Sequence, residues 1–362
     1  MRIILSNSDV GGGIAFNVDK ISKELAILDA GNTRAFYLNR SSLFNFCIEN
    51  IKHDKLKLYA TSAKTLYFSI ILAILRRLCF KRTVICQIIY HPRFIDPSVS
   101  NFRVVLRSAI KNLGLNNVIY YSTECVKASK LESIESLPQE RLIGLASIFG
   151  DINEVECLPE EYNDFLNKKF RYKISTVGRF VNFKFGYLRG LIEFAKKNRD
   201  VGLMIVGYGP LEDDLRALSD NSSNIFFFGE QDIEATKSII KKSDLYIGMG
   251  TTLVDASSIN VPSLIAIESA TDAISPGFFG CSSNMSFGEF DKEESYKSIN
   301  EYILNFEPGL SSEFNIYSNK PWVKIDSQEK KTSNINFLNS IIVLFKLILA
   351  NIARVFSKKD YH

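Results

Sequence analysis

The chain has little of what metal and redox sites are built from. It holds three histidines, at 53, 91 and 362, and six cysteines, at 47, 79, 86, 125, 157 and 281. No pair of cysteines has C-x-x-C spacing and no cysteine–histidine group has metal-ligand spacing. The thiols therefore read as reduced and mostly buried, and no metal site is expected. A large charge of one sign is also missing. The formal net charge of +4 over 362 residues is too small to argue for a nucleic-acid partner. No internal repeat or low-complexity tract is visible. The first residues, Met1-Arg2-Ile3-Ile4-Leu5-Ser6, read as a strand and lack the long apolar core of a signal peptide. The sequence expectation is a cytoplasmic protein.

What is present is an α/β rhythm. With 46% hydrophobic and 23% charged residues the composition is that of an ordinary globular protein, and the length suits two domains. Apolar runs predict strands at 2–6, 34–38, 83–90, 117–122 and 142–148. Helical spacing covers 14–28, and 64–77 reads as a core helix with a basic end. Residues 151–168 turn acidic and lose periodicity, as an interdomain linker does. This gives an N-terminal domain over 1–160 and a second α/β domain over 168–322. A charged spacer follows, and then a helical segment over 335–357.

The chemistry-bearing residues concentrate between 173 and 266. Three apolar runs there each end in a glycine turn, the cadence of parallel βαβ units, whose ligands sit beyond the carboxyl ends of the strands. Arg179 and Lys184 follow the first run. Fixed cations at such a strand end stabilise the charge on a departing diphosphate, Arg by bidentate hydrogen bonds and Lys as a point charge. The alternative is that both are solvated surface cations. Gly250-Thr251-Thr252 precedes a helix expected to begin near Leu253. Such a turn either cradles a phosphate on backbone N–H groups or is simply a Thr N-cap. Asp255 on that helix either accepts from ribose hydroxyls or complements the helix dipole. His91, in Tyr90-His91-Pro92-Arg93, ends the strand 83–90. It is either a substrate contact or a structural histidine in a proline turn. Asp213-Asp214 mark an acidic helix start rather than a metal pair.

Residues 173–266 resemble the donor-binding domain of the family 4 glycosyltransferases. Gly178-Arg179 with Lys184 is similar to that family's Gly-Arg…Lys pattern, and Val206-Gly207-Tyr208-Gly209-Pro210 to its Val-Gly-x-Gly-Pro turn. Phe227-Phe228-Gly229 resembles the strand and turn leading to its base pocket. Asp255-Ala256-Ser257-Ser258-Ile259-Asn260-Val261-Pro262 resembles its Glu-Ala-x-x-x-Gly-x-Pro run. The resemblance implies an α/β fold of two Rossmann-like domains facing a cleft, called GT-B. It also implies metal-independent hexosyl transfer with retention, using a nucleotide diphosphate sugar and no other cofactor. Arg179 and Lys184 would hold the diphosphate, with Gly12 and Gly13 of the Gly11-Gly12-Gly13 loop beneath it. Gly250, Thr251, Thr252 and Asp255 would complete the donor site, and His91 would meet the donor sugar or the acceptor. The acceptor would be a glycan or a lipid-linked glycan of a bacterial surface polysaccharide or lipopolysaccharide. Two departures stand out. Ile247 occupies the place of the first of the family's two acids, and Asn260 replaces a glycine. Two rival readings are a non-catalytic binding partner on the same fold and a nucleotide-sugar epimerase.

The segment 335–357 carries Phe337, Leu338, Ile341, Ile342, Phe345 and Ile348 over most of its circumference, with Lys346 and Arg354 interrupting it. It is too polar for a spanning helix. Either it lies on an anionic inner leaflet or it packs on the N-terminal domain or a second subunit.

Overall fold

The computed structural model describes residues 1–7, 13–38, 43–98, 100–149, 157–159, 162–220, 222–280, 286–307, 320–328, 332–334 and 337–356. Gly11, Gly12 and residues 151–156, 160 and 161 of the 151–168 stretch lie outside the described residues. The chain forms two units, 1–146 with 319–362, and 147–318. The first unit thus takes back the C-terminal segment, and the second begins at 147, before the acidic stretch at which the sequence reading placed the linker.

Unit 1 alternates strands and helices in the order β1 (Arg2–Ser6), α1 (Gly13–Leu28), β2 (Thr33–Tyr37), α2 (Leu43–Ile51), β3 (Lys55–Ala60), α3 (Ala63–Leu78) and β4 (Arg82–Ile89). The short α4 (Pro92–Ile95), α5 (Asn101–Lys111), β5 (Val118–Tyr120) and α6 (Thr123–Ser129) follow. Its parallel sheet runs β2-β1-β3-β4-β5. Ile3, Leu58, Ile85 and Ile119 are fully buried in it, as expected of a sheet covered on both faces. A capping box between Ser62 and Thr65 starts α3. Near the end of that helix the fully buried Arg76 bonds Thr83 Oγ1 at 2.9 Å and the carbonyls of Asn50, His53 and Arg82. The basic end of α3 is therefore partly a structural clamp tying α2 and the β4 start together.

The strand expected over 142–148 does not form. Leu142 makes a single bridge to Tyr120 and the Ile143 N–H donates to the Tyr120 carbonyl at 2.9 Å. Asn17 Oδ1 then accepts from the Ala146 N–H at 2.7 Å, which draws the chain away from the sheet edge.

Unit 2 comprises α7 (Tyr162–Leu166), β6 (Tyr172–Val177), α8 (Asn182–Lys197), β7 (Val201–Val206), α9 (Glu212–Ser219), β8 (Ile225–Phe227), α10 (Ile233–Lys241), β9 (Leu245–Gly248), α11 (Thr251–Ser258) and β10 (Ser263–Ile265). A two-stranded antiparallel pair, β11 (Ile274–Ser275) with β12 (Lys297–Ser298), leads into α12 (Ile299–Leu304). The main sheet is parallel, in the order β10-β9-β6-β7-β8. All six residues of β7 are buried.

The chain ends in unit 1 with α13 (Pro321–Gln328) and α14 (Phe337–Phe356). Helix α14 packs on α5 and α3, and Val343 and Leu347 enter the core with Ala73, Leu106 and Ile110. The segment read as a separate C-terminal feature is thus anchored on the first unit. Lys358 and Lys359, which follow α14 in the sequence, lie outside the described residues.

Candidate functional site

The strand order of unit 2 reverses at β6: β7 and β8 lie on one side of it, β9 and β10 on the other. A doubly wound sheet opens a ligand crevice at such a reversal, beyond the carboxyl ends of the two strands. The residues at these two ends are Gly178-Arg179 after β6 and Met249-Gly250-Thr251 after β9.

The glycines let backbones approach each other. Gly178, Gly207 and Gly209 have φ of 151°, 134° and 155°. A Cβ on Gly207 would collide with the Gly178 carbonyl, and one on Gly209 with the backbone of Phe180. The turns are laced together by Gly178 N–H to the Val206 carbonyl (3.0 Å), Phe180 N–H to the Tyr208 carbonyl (2.8 Å) and Gly207 N–H to the Gly229 carbonyl (2.7 Å). The Val-Gly-Tyr-Gly turn therefore braces the strand end that carries Arg179. Asn260 has φ of 62°, the left-handed region that asparagine tolerates better than most residues, which accounts for it standing where a glycine is customary.

Arg179 is exposed and Lys184 is half-buried on the first turn of α8. The lysine folds back so that a Cβ on Gly178 would strike its Nζ. Burial, with repulsion from Arg179, pulls the Lys184 pKa down to about 8. The two cations thus share one locality, and neither side chain has a hydrogen-bond or ion-pair partner among the described residues. A pair of cations placed this way favours an anion strongly, because the lysine is partly stripped of water.

Across the crevice, Gly250 is the N-cap of α11, with φ of 70°, and no side chain caps the helix. Thr251 and Thr252 are its first helical residues, so the helix begins two residues before Leu253 and neither threonine is its N-cap. The first backbone N–H groups carry the positive end of the helix dipole. Open space surrounds the Gly250 Cα. Thr252 Oγ1 accepts from the Tyr246 hydroxyl at 2.7 Å and lies 3.4 Å from the Val177 and Met249 carbonyls. Its side chain holds the ends of β6 and β9 together.

Asp255 is fully buried. Its Oδ1 accepts from Ser147 Oγ at 2.9 Å and from the Ile148 N–H at 2.8 Å, and Oδ2 has no hydrogen bond among the described residues. Burial raises its pKa to about 7 against the lowering effect of these bonds. The carboxylate thus fastens the segment 147–149 onto α11, a role that sequence reasoning missed. Ile247 is also fully buried, in one cluster with Ile174, Leu203 and Leu264.

In unit 1, His91 is the N-cap of α4 and its Nδ1 accepts from the Arg93 N–H at 3.1 Å. Gly13 is the first residue of α1. Gly12 is not among the described residues.

No protein-family model matches the chain. The chain is 25% identical over 226 residues to an uncharacterized glycosyltransferase, MJ1069, of Methanocaldococcus jannaschii, a match covering 58% of this chain and 57% of the relative. It thus spans little more than half the length of that curated relative. Among solved structures, HepE (Alr3699) of Anabaena, in complex with UDP and glucose, superposes with a TM-score of 0.52 at 14% identity over 98% of each chain. The fold is GT-B. A glycosyltransferase of Rickettsia africae is similar at a TM-score of 0.50 and 14% identity, covering 98% of this chain and 99% of that one. The two five-stranded parallel sheets found here are the two Rossmann-like halves of GT-B, and the cation pair lies in the second half.

Asp255 yields a stability prediction. Its folded pKa of about 7 lies above the ordinary 3.8, so the folded chain holds a proton that the unfolded chain has released between those values. Stability is therefore lost as pH rises from about 4 to 7, and stays lower above that window. Asp255→Asn keeps Oδ1 as acceptor for Ser147 and Ile148. It should melt at least ~3 °C above wild type at pH 8 and close to it at pH 4.5, as read by calorimetry. A variant that melts lower at both pH values would show that the charged form is the one the fold needs.

Proposed function

We propose that this chain is a retaining glycosyltransferase that moves a hexose from a nucleotide diphosphate sugar to a lipid-linked or polysaccharide acceptor in bacterial surface glycan synthesis. It needs no metal and works at the inner face of the cytoplasmic membrane. The observation that carries the reading is the Arg179–Lys184 pair, partnerless among the described residues, facing the uncapped start of α11 at the strand reversal. The diphosphate lies between them. The two cations take up the charge that develops as the glycosyl bond breaks, and the α11 amides hold a phosphate oxygen. HepE has been solved with UDP and glucose and with UDP-glucose, which supports a uridine donor. In this reading Asp255 reaches the ribose only when the segment 147–149 releases its carboxylate. The resemblance also assigns His91, Gly12 and Gly13 to substrate binding.

The test is UDP release from a panel of UDP-hexoses, with and without extracted lipid acceptor. Acceptor-dependent release from one donor supports the proposal. One observation favours a second reading, a binding module: the core residue Ile247 stands where the resembling family has an acid. UDP that binds by calorimetric titration, with no donor turned over under any acceptor condition, would decide for it.

The pH profile gives a further prediction. The folded pKa of Lys184, about 8, lies below the ordinary 10.5, so kcat/KM should fall as pH rises through about 8 and the free enzyme loses the charge. Stability moves the opposite way and rises between about 8 and 10.5, where only the unfolded chain keeps the proton. Lys184→Arg should retain activity to higher pH. An alkaline limb unchanged in that variant would assign the titration to another group.

A further inference from the structure

Helix α14 is turned the wrong way for a protein surface in water. Its polar Ser340 is buried, and Lys346 reaches sideways to Ser108 Oγ at 2.7 Å. Its outward stripe is Leu338, Ile341, Ile342, Phe345, Ile348 and Leu349, all exposed, with Leu338 at 66% and Phe345 at 61%. The spacing i, i+3, i+4, i+7, i+10, i+11 makes this one continuous face rather than scattered residues. Val343 and Leu347 already anchor the helix to the core, so the stripe is what remains after packing.

The surrounding charge is as one-sided as the stripe. Helices α3, α5 and α14 contain no Asp or Glu and eight Lys or Arg, of which Arg76 is internal. Removing those eight from the chain's 44 basic residues leaves 36 against 40 acidic ones, so the rest of the protein is net −4. Arg77, Arg107 and Lys111 make no ion pair among the described residues. At the start of α14 a small cavity brings Arg77 and Arg82, with Lys81 in an ion pair to Asp54, against Asn334 and Ser340. The end of α3 adds exposed Leu78 and, just beyond it, Phe80.

We infer that this three-helix face docks on an anionic lipid bilayer, with the α14 stripe seated at the acyl boundary and the arginines and lysines among the headgroups. This rests on the membrane location proposed above, names the surface that would make it, and stands whatever the donor. The occupant follows from the charge. A second copy meeting the same patch across a twofold axis would press two acid-free, basic layers together, whereas anionic headgroups complement them. No helix among the described residues is long and apolar enough to cross a membrane, so the contact is interfacial.

Flotation of the full-length chain with vesicles of phosphatidylcholine, alone or mixed with phosphatidylglycerol, tests it. The wild type should float with the phosphatidylglycerol vesicles, less so as salt rises, and poorly with phosphatidylcholine alone. Phe345→Ser with Leu349→Ser should lower the partition at least about tenfold with an unchanged melting transition, since both side chains are exposed. Arg77→Gln and Arg107→Gln should each lower it roughly fivefold. Three results overturn the inference: a wild type left behind by every vesicle, equal binding to both vesicle types, or variants that float like wild type. A fourth is a wild-type dimer by sedimentation that Phe345→Ser with Leu349→Ser converts to monomer, because the stripe would then be a subunit interface.

Discussion

Arg179→Ala and Lys184→Ala will each lower turnover about 10²–10³-fold at saturating donor, the usual cost of removing one group that stabilises charge in the transition state. The expectation rests on where the cations sit. Arg179 is exposed after β6, and Lys184 is folded onto Gly178 with its pKa pulled down to about 8. Neither holds a protein partner among the described residues, so neither deletion leaves a buried group unpaired. Lys184→Ala even removes a cation that folding strips of water, and its melting temperature should hold or rise. The loss should appear in kcat rather than in KM, because the contact strengthens as the diphosphate departs. Initial rates with the best donor, alongside thermal melts, give both readings. Near-normal turnover in the two variants would sink the diphosphate assignment. A collapsed melt in either one would make that side chain a packing element.

Much of this was legible in the sequence, for physical reasons that differ by residue. Short apolar runs closed by a glycine turn, such as 201–206, read as strands covered on both faces, so most of both sheets could be placed. Strand β3 was missed although Lys55-Leu56-Lys57-Leu58 alternates as a half-exposed strand does, and Lys57 is in fact buried with its Nζ 5.5 Å from the Tyr59 ring centre. Residues 142–148 look like a strand by composition, but Asn17, far away in sequence, captures Ala146 and ends the pairing at one bridge. The glycines of 207 and 209 were visible as a motif, and only the fold shows that their task is to let two turns touch. Asp255 reads from the sequence as a ribose acceptor or a helix-dipole residue. Its partners lie 107 and 108 positions away, at Ile148 and Ser147, where no local pattern could reveal them. The C-terminal helix shows the same limit: its amphipathic composition was readable, but which face it buries depends on α3 and α5.

Ile247→Glu will cost more than about 4 kcal/mol and leave little folded protein at neutral pH, the scale of burying an unpaired charge in a core. The resembling family carries an acid at this position, so a functional argument alone would expect the change to restore donor recognition. The packing argues otherwise. Ile247 is fully buried on β9 and clusters with Ile174, Leu203 and Leu264. The folded-state pKa of an introduced glutamate would be pushed above its ordinary value of about 4.3. The destabilisation should therefore grow as pH rises above that value and be smaller near pH 4.5, where the side chain stays protonated. Ile247→Val, which removes only one methylene, should cost about 0.5–1.5 kcal/mol at every pH. Chemical denaturation of both variants at two pH values separates the cases. A folded Ile247→Glu protein with wild-type stability at pH 8 and altered donor preference would place residue 247 in the donor site rather than the core. The buried cluster makes the opposite result the expected one, because position 247 is given over to packing.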